Sequence, residues 1–501
     1  MNSCDRFGVT EAQLRSLVAE GLRAGGDWCD LYFEDTSYHD LLLRDGVVGS
    51  GGYHVDYGCG IRVLKGEKTG YAYAETTDFP SLLSAAKAAG AIAGGVEAAV
   101  GSENRSHPRL RKREGPADAV GGRGPAQPDV FRPKLLWNEA AMARYYDEKL
   151  SWEEAETAGF IPFLQRIEAG IRARDSRVLK VVAILSYSVS DILMYNSLGE
   201  LTTDHRPLGS LSVQVIFQQG ERTENNTVSR SLRMGAEFIS DAVLEDLVDR
   251  AVEGMDARFE ARRPKGGQML VVMGAGASGI LLHEAMGHAF EADFNRKGQS
   301  IFSDRMGSRI CRPGINILDD ATVPASRGAC NYDDEGVPGQ KTYMVTDGVL
   351  TSYLHDRISA GYYGVAPTGN GRRESFRYNP IPRMRATYME SGPDGTKEDL
   401  IASVKRGIYV DQFANGQVKI GEGDFTFFVK SGFLIEKGRL TMPVKDINII
   451  GNGPQALADI QAVAGDLRID EGTWTCGKEQ SVAVSCGIPS VLIGNLTVGG
   501  E

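Results

Sequence analysis

Two histidines five residues apart, His283-Glu284-x-x-x-His288, limit what the middle of this chain can fold into. They follow an apolar run, Gln268 to Met273, that reads as a strand, and they belong to a segment with helical character from about residue 278 to 292. In a regular α-helix of 3.6 residues per turn, positions i and i+4 lie about 40° apart around the axis, whereas i and i+5 lie about 140° apart. An unbroken helix therefore points the two imidazoles to different sides, and both are then ordinary histidines. A single extra residue in the turn, a π-bulge, returns them to one face. Gly287, immediately before His288, tolerates that distortion. On one face the pair supplies two metal ligands, and the intervening Glu284 supplies a carboxylate of the kind that acts as general base in metal-assisted hydrolysis. Only seven histidines occur in 501 residues, so the pairing is uncommon by chance.

A second motif overlaps the first. Gly274, Gly276 and Gly279 spell G-x-G-x-x-G between a strand and a helix, the context of a dinucleotide fingerprint. No second strand ending in an acid follows at βαβ distance, and a phosphate-binding helix has no use for two His and a Glu. The glycines are read instead as letting a helix start pack closely on a strand, and a dinucleotide-dependent oxidoreductase stands only as an alternative.

A chain of 501 residues exceeds what one hydrophobic core fills, since cores stop growing near about 250–300 residues. Two domains are predicted, residues 1–265 and 266–501. The fold class is α+β. The N-terminal part reads as a helix from Thr10, a meander of short strands between residues 30 and 74, and a second helix over 80–93. Helix, meander and helix then recur: a helix over 151–174 with Ser151 and Glu154 at capping-box spacing, strands between 178 and 217, and a helix over 239–257. This is a hint of internal repetition. From Gln268 onward the chain is rich in strands, interrupted by the histidine-bearing helix and one over 454–464.

An apolar fraction of 42 % and a charged fraction of 24 % exclude a disordered or collagen-like chain. No apolar run reaches the roughly 18–20 residues that a membrane span needs, and the first residues lack a signal pattern, so a cytoplasmic protein without membrane contact is expected. Seven scattered cysteines without C-x-x-C pairing argue against a disulfide framework or a four-cysteine zinc module. A net charge of −11 disfavours direct nucleic-acid binding. The one short basic run, Arg109 to Arg113, lies in a Pro- and Gly-rich stretch over about 100–133 that reads as a solvated insert.

Several further segments carry a resemblance: Asp30-Leu31-Tyr32-Phe33-Glu34, the run from Gly66 to Ala74, His283 to His288, Glu291 to Gly298, Tyr332 to Gly336, Gly369 to Ser375, Pro380 to Met384, and Cys476-Gly477-Lys478. Together they make the chain similar, over nearly its whole length, to the TldD/PmbA family of metallopeptidases on the side of its catalytic TldD-type subunit. The resemblance implies one Zn²⁺ per catalytic subunit, held by His283, His288 and Cys476, with Glu284 as catalytic base. It also implies a curved, barrel-like sheet in the C-terminal domain. The chain departs from the family at Ser229 to Met234, where a Gly-rich run is usual, and in the insert at 100–133.

For the third ligand, Glu291 at i+3 from His288 and His355 are alternatives; Cys476 is preferred on the resemblance, with Lys478 favouring its thiolate. Asn370, Arg372 and Arg373 are candidates for substrate contacts. Asp333 and Asp334 are candidates for orienting a ligand from behind. The expected activity is zinc-dependent hydrolysis of peptide bonds in short or unfolded polypeptides, in a heterodimer with a PmbA-like subunit. A non-catalytic PmbA-like role is the alternative within the family, and such a chain would lack the metal motif.

Overall fold

A computed structural model describes residues 3–95, 145–419 and 422–500. The Pro-rich insert at 100–133 lies outside them. The N-terminal half is one six-stranded antiparallel sheet built from β1 (Trp28–Arg44), β2 (Val47–Lys65), β3 (Lys68–Ala74), β4 (Val178–Asn196), β5 (Leu201–Gln219) and β6 (Arg222–Leu232), in the order β3-β2-β1-β4-β5-β6. That order is a two-fold arrangement about the β1–β4 pair, where Leu31 faces Tyr195 and Leu43 faces Ala183. Each half is helix, three strands, helix, the recurrence expected from the sequence pattern.

Alternation along the strands decides what covers each face. Leu31, Phe33, Ile61 and Val63 pack under the helices Glu11–Leu22 and Phe79–Gly94. Leu41, Leu43, Leu185 and Val213 pack under Ile161–Arg174 and Asp241–Val252. In β1 the same parity serves both groups, so both helix pairs lie on one side. The residues between, Tyr32, Ile192 and Met194, pack instead with Phe376 of the C-terminal half.

Two helix assignments are corrected. The segment 151–174 is helical only from Ile161, after a 3₁₀ turn at Thr157–Phe160. Pro162 in the first turn sets that start, while Trp152 is buried with its indole nitrogen donating to the Met234 carbonyl (2.7 Å). The segment 454–464 is helical only over Gly453–Ala458, because Ile460–Val463 joins a sheet with Val491–Val498.

In the C-terminal half, five strands close on themselves. Gly267–Met273 pairs with Arg406–Val418 and with Val491–Val498; Asp424–Glu436 pairs with Arg406–Val418 and with Asn448–Asn452; and Asn448–Asn452 pairs with Val491–Val498. Closure leaves no free edge in that ring. Its interior is an apolar core including Val271, Ile408, Phe427 and Ile493, continuous with Leu281, Leu282, Ala285 and Met286 of the histidine segment. A second, mixed six-stranded sheet contains Ile317–Asp320, Ala386–Met389 and Ser485–Ile488.

Candidate metal centre

Strand Gly267–Met273 delivers the chain to the Gly-rich turn, and the turn starts the helix against a neighbouring strand. A Cβ on Gly279 would lie 2.6 Å from the backbone nitrogen of Gly487. Close approach explains this glycine, a Cβ on Gly274 would lie 2.8 Å from the Tyr409 hydroxyl oxygen, and Gly276 takes a positive φ of 88°, so each glycine has a packing or backbone reason of its own.

The helix that follows is not regular. One α turn at Gly279–Leu281 passes into a π turn at Leu282–Met286, with the Gly287 N–H donating to the Leu282 carbonyl five residues back, and then into a 3₁₀ turn at Gly287–Phe290. The extra residue puts His283 and His288 on one side, with ring centroids 5.4 Å apart and planes at 79°. The distorted backbone is at Met286 (φ −130°, ψ −40°), whereas Gly287 itself has ordinary helical angles. Gly287 is needed for a different reason from the one the sequence suggested: a Cβ there would lie 2.3 Å from the Met384 sulfur.

Cys476 arrives from the far end of the chain on a two-residue strand paired with Val482–Ala483. The fully buried Arg383 fixes that hairpin by donating to the carbonyls of Cys476 and Gln480, both at 2.7 Å. The Cys476 Sγ is 3.3 Å from His288 Nε2. One ligand atom from each of His283, His288 and Cys476 lies within 4.8 Å of the other two, and all three residues are buried.

The other ring nitrogen of His288 is held from behind. Nδ1 is 2.8 Å from Glu291 Oε2, and Lys478 Nζ is 3.0 Å from the same oxygen and 2.8 Å from Asp293 Oδ1. Burial pushes the Glu291 carboxyl up, but Lys478 and His288 outweigh it and hold the group at about 2. This partner fixes the ring and leaves Nε2 for the side where Cys476 stands. Burial likewise pushes the Cys476 thiol up, but His283 and then His288 bring it down to about 4. Cys29 and Cys59, also buried, are raised instead. Glu284 Oε2 stands 3.9 Å from His288 Nε2, its side chain 27 % exposed, so this carboxylate faces both the cluster and solvent.

His283 tests whether a metal fits. Both of its ring nitrogens are buried with no hydrogen-bond partner among the described residues, a desolvated state that is unfavourable for an imidazole unless something else takes a lone pair. Two imidazoles and a thiolate are a donor set suited to zinc.

The other residues singled out from the sequence are placed differently. His355 is buried and pushed down to about 4 by that burial, with Ser359 Oγ 3.3 Å from its Nδ1; it is not among the three clustered residues. Asn370 donates to Asp319 (2.7 Å) and to the Arg383 carbonyl (3.0 Å). Arg372 donates to the carbonyls of Met384 (2.6 Å) and Ala483 (2.7 Å). Arg373 lies over the Tyr32 ring and donates to the Asp334 carbonyl (3.0 Å). Asp333 accepts from the backbone N–H of Glu335, Val337 and Gly371, and Asp334 pairs with Arg206 at 2.6 Å. All five are buried, and these bonds tie loops to each other and to the N-terminal sheet. Nothing in the spacing of the sequence points to a role for Arg383 or Asp293, and Lys478 is marked there only as a neighbour of the thiol. Their sole signal was membership of the quoted motif segments.

Comparison with known proteins places the whole chain in one family. Models of the PmbA/TldA metallopeptidase domain 1, central domain and C-terminal domain match residues 29–93, 146–255 and 266–500. The chain is 37 % identical over 484 residues to a protein named metalloprotease TldD homolog from Haemophilus influenzae, covering 95 % of this chain and 93 % of that one. It is 32 % identical over 298 residues to a zinc metalloprotease TldD homolog from Saccharolobus solfataricus, covering 58 % and 65 %. Its fold superposes on the crystal structure of TldE from Thermococcus kodakarensis with a TM-score of 0.71 at 18 % identity, over 97 % of this chain and 100 % of that one.

Proposed function

The chain belongs to the PmbA/TldD metallopeptidase family, and on that premise we propose that it is a zinc-dependent peptidase acting on short or unfolded polypeptides. The observation that carries this reading is the approach of His283, His288 and Cys476 to within 4.8 Å of one another, with the Glu284 carboxylate beside them. His283, His288 and Cys476 are the ligands to one Zn²⁺, two neutral imidazoles and one thiolate giving a site of net charge +1. When bound, zinc supplies a Lewis acid that acidifies the attacking water and polarises the scissile carbonyl. Glu284 takes the proton from that water on its carboxylate and hands it to the leaving amine. Glu291, held by Lys478, keeps His288 in the tautomer that offers Nε2.

The buried bonds of Asn370, Arg372 and Arg373 argue against direct substrate contacts for these three, so their role in this reading is to shape the walls of the site. We take residues 1–265 and 266–501 as the two domains, the protein as cytoplasmic, and the working enzyme as a heterodimer with a PmbA-like subunit. A non-catalytic role is disfavoured because all four chemical groups are present in one cluster.

The test is metal analysis and peptide hydrolysis with wild type and Glu284→Gln, assayed with the PmbA-like partner supplied. Zinc retained near one per chain with hydrolysis reduced by about 10²–10⁴-fold is expected. Loss of zinc in that variant, or activity unchanged with zinc bound, overturns the assignment of Glu284 as base.

A further inference from the structure

A strongly acidic chain keeps a cationic cleft on the outer wall of its barrel. A cavity of about 310 Å³ lies between the helical segment around Met255–Glu260 and the strands Arg406–Val418, Asp424–Glu436 and Arg439–Val444. Its charged lining is Arg250, Arg258, Lys397 and Lys430 against Glu253 and Asp411, and Tyr409 and Phe433 contribute aromatic surface.

Two of the cations are held by backbone carbonyls, with the carboxylates of Glu224 and Asp411 acting on Arg258, and those of Asp411 and Asp470 on Lys430, only from beyond ion-pair distance. Lys430 Nζ donates to the Thr227 carbonyl and Arg258 Nη1 to the Asn225 carbonyl, both at 2.7 Å, and neither forms an ion pair among the described residues. The nearby acid is engaged by neutral donors: Asp411 accepts from the Tyr409 hydroxyl (3.1 Å) and from Ser431 Oγ (2.9 Å). Burial, followed by the like charges of Arg258 and Arg250, pushes Lys430 down to about 8, against a weaker opposite pull from Asp411 and Asp470. Like charges held together in a half-buried cleft oppose folding unless an anion offsets them.

The cleft is separate from the metal centre. Tyr409 packs with Val272 and Leu492 on the outside of the barrel wall, whereas its neighbours Ile408 and Val410 point into the core beneath the histidine segment.

We propose that this cleft binds a small oxyanion, a carboxylate or phosphate group carried on an apolar body, with Arg258 and Lys430 taking the anion and Tyr409 and Phe433 the body. Guanidinium and ammonium donors flanking one anion give charge-assisted hydrogen bonds, and the occupant clamps the helical segment to the barrel.

The test is thermal unfolding of the full chain titrated with inorganic phosphate, with sodium chloride adjusted to hold ionic strength constant. A saturable rise in Tm is expected. Lys430→Gln and Arg258→Gln, which keep a donor for the backbone carbonyls, should each weaken the apparent phosphate affinity about tenfold. In chloride alone they should melt no lower than wild type, because the repulsion is relieved. Phenyl phosphate and benzoate then distinguish the two anion types, and both should bind more tightly than the corresponding inorganic phosphate and acetate. Phosphate with no effect beyond matched chloride, or equal phosphate responses in wild type and both variants, overturns the site. Aromatic anions no tighter than their small counterparts overturn the apolar body. None of these readouts depends on zinc or peptide hydrolysis, so the site and the peptidase reading fail independently.

Discussion

One hydrogen bond separates two roles for Glu291. From spacing alone, a carboxylate three residues after His288 qualifies as a metal ligand, and the sequence offers nothing against it. In the fold its Oε2 sits on Nδ1 of His288, the ring nitrogen turned away from Cys476, and Lys478 Nζ contacts that same oxygen. In the proposed site Glu291 therefore acts as a positioning residue. Glu291→Gln should leave the chain folded while weakening zinc binding by roughly 10–100-fold, measured by competition with a chromophoric chelator; unchanged affinity would remove this role. His283, Glu284 and His288 were legible because their side-chain chemistry is local to one short segment. The parts played by Arg383 and Asp293 were not, because each acts on a residue distant in sequence: Arg383 on the carbonyl of Cys476, and Asp293 on the ammonium of Lys478.

At the level of elements, the break in the histidine helix was predictable from geometry, but its cause was not. The sequence pointed to glycine flexibility. The structure assigns the need for glycine to the Met384 sulfur, which a side chain at 287 would strike. Gly287→Ala should then destabilise the fold by about 1–3 kcal/mol and lower zinc affinity by disturbing the π turn. Combining it with Met384→Ala should restore zinc affinity even though the emptied core position is itself destabilising. A double-mutant cycle in chelator competition measures this, and strictly additive losses would show that the contact is not the constraint. Strands were read too short for a related reason. β2 runs from Val47 to Lys65, yet its first half is exposed on both faces, with Val47 at 69 % and Tyr53 at 65 %. Where neither face is buried, hydrophobic alternation lapses and the pattern shows only fragments of the strand, here Val47 to Gly49 and Gly60 to Leu64. The helix expected from residue 151 failed on the opposite error, a capping-box spacing with no helix behind it, because Trp152 was claimed by the core instead.

Across the whole molecule, barrel closure had no local signal: its first and last strands, Gly267–Met273 and Val491–Val498, pair across most of the C-terminal half. Nor did the sequence announce the charged seam that fastens the N-terminal sheet to that half. Arg62 of β2 reaches Asp30 (2.7 Å) and Glu335 (2.6 Å), and Arg206 of β5 reaches Asp334 (2.6 Å). Burial pushes the Asp334 carboxyl up, but Arg206, then Arg385 and Arg373, bring it down to about 2 from an ordinary 3.8. A depressed carboxyl contributes stability that is complete above its unfolded value and disappears as pH falls through its folded one. Asp334→Asn should therefore be less stable than wild type by about 2 kcal/mol at pH 5, and the gap should close as pH approaches 2. Arg62 makes the stronger test. Its side chain is fully buried between two carboxylates, and removing the cation leaves Glu335 without an ion pair among the described residues and Asp30 with only Arg373 at 3.6 Å, in a low-dielectric setting. The loop that holds Glu335 also bonds through Asp333 and Asp334 to residues 371–373, and Asn370 beside them bonds the backbone of Arg383, which fixes Cys476. Strain at the seam thus has a bonded route to the proposed metal ligands. Arg62→Met should lower the unfolding free energy by about 3–5 kcal/mol in urea titration and should weaken zinc binding as well. A variant that loses stability while holding zinc as tightly as wild type would mean that the two halves are joined mechanically but the metal centre does not feel the joint.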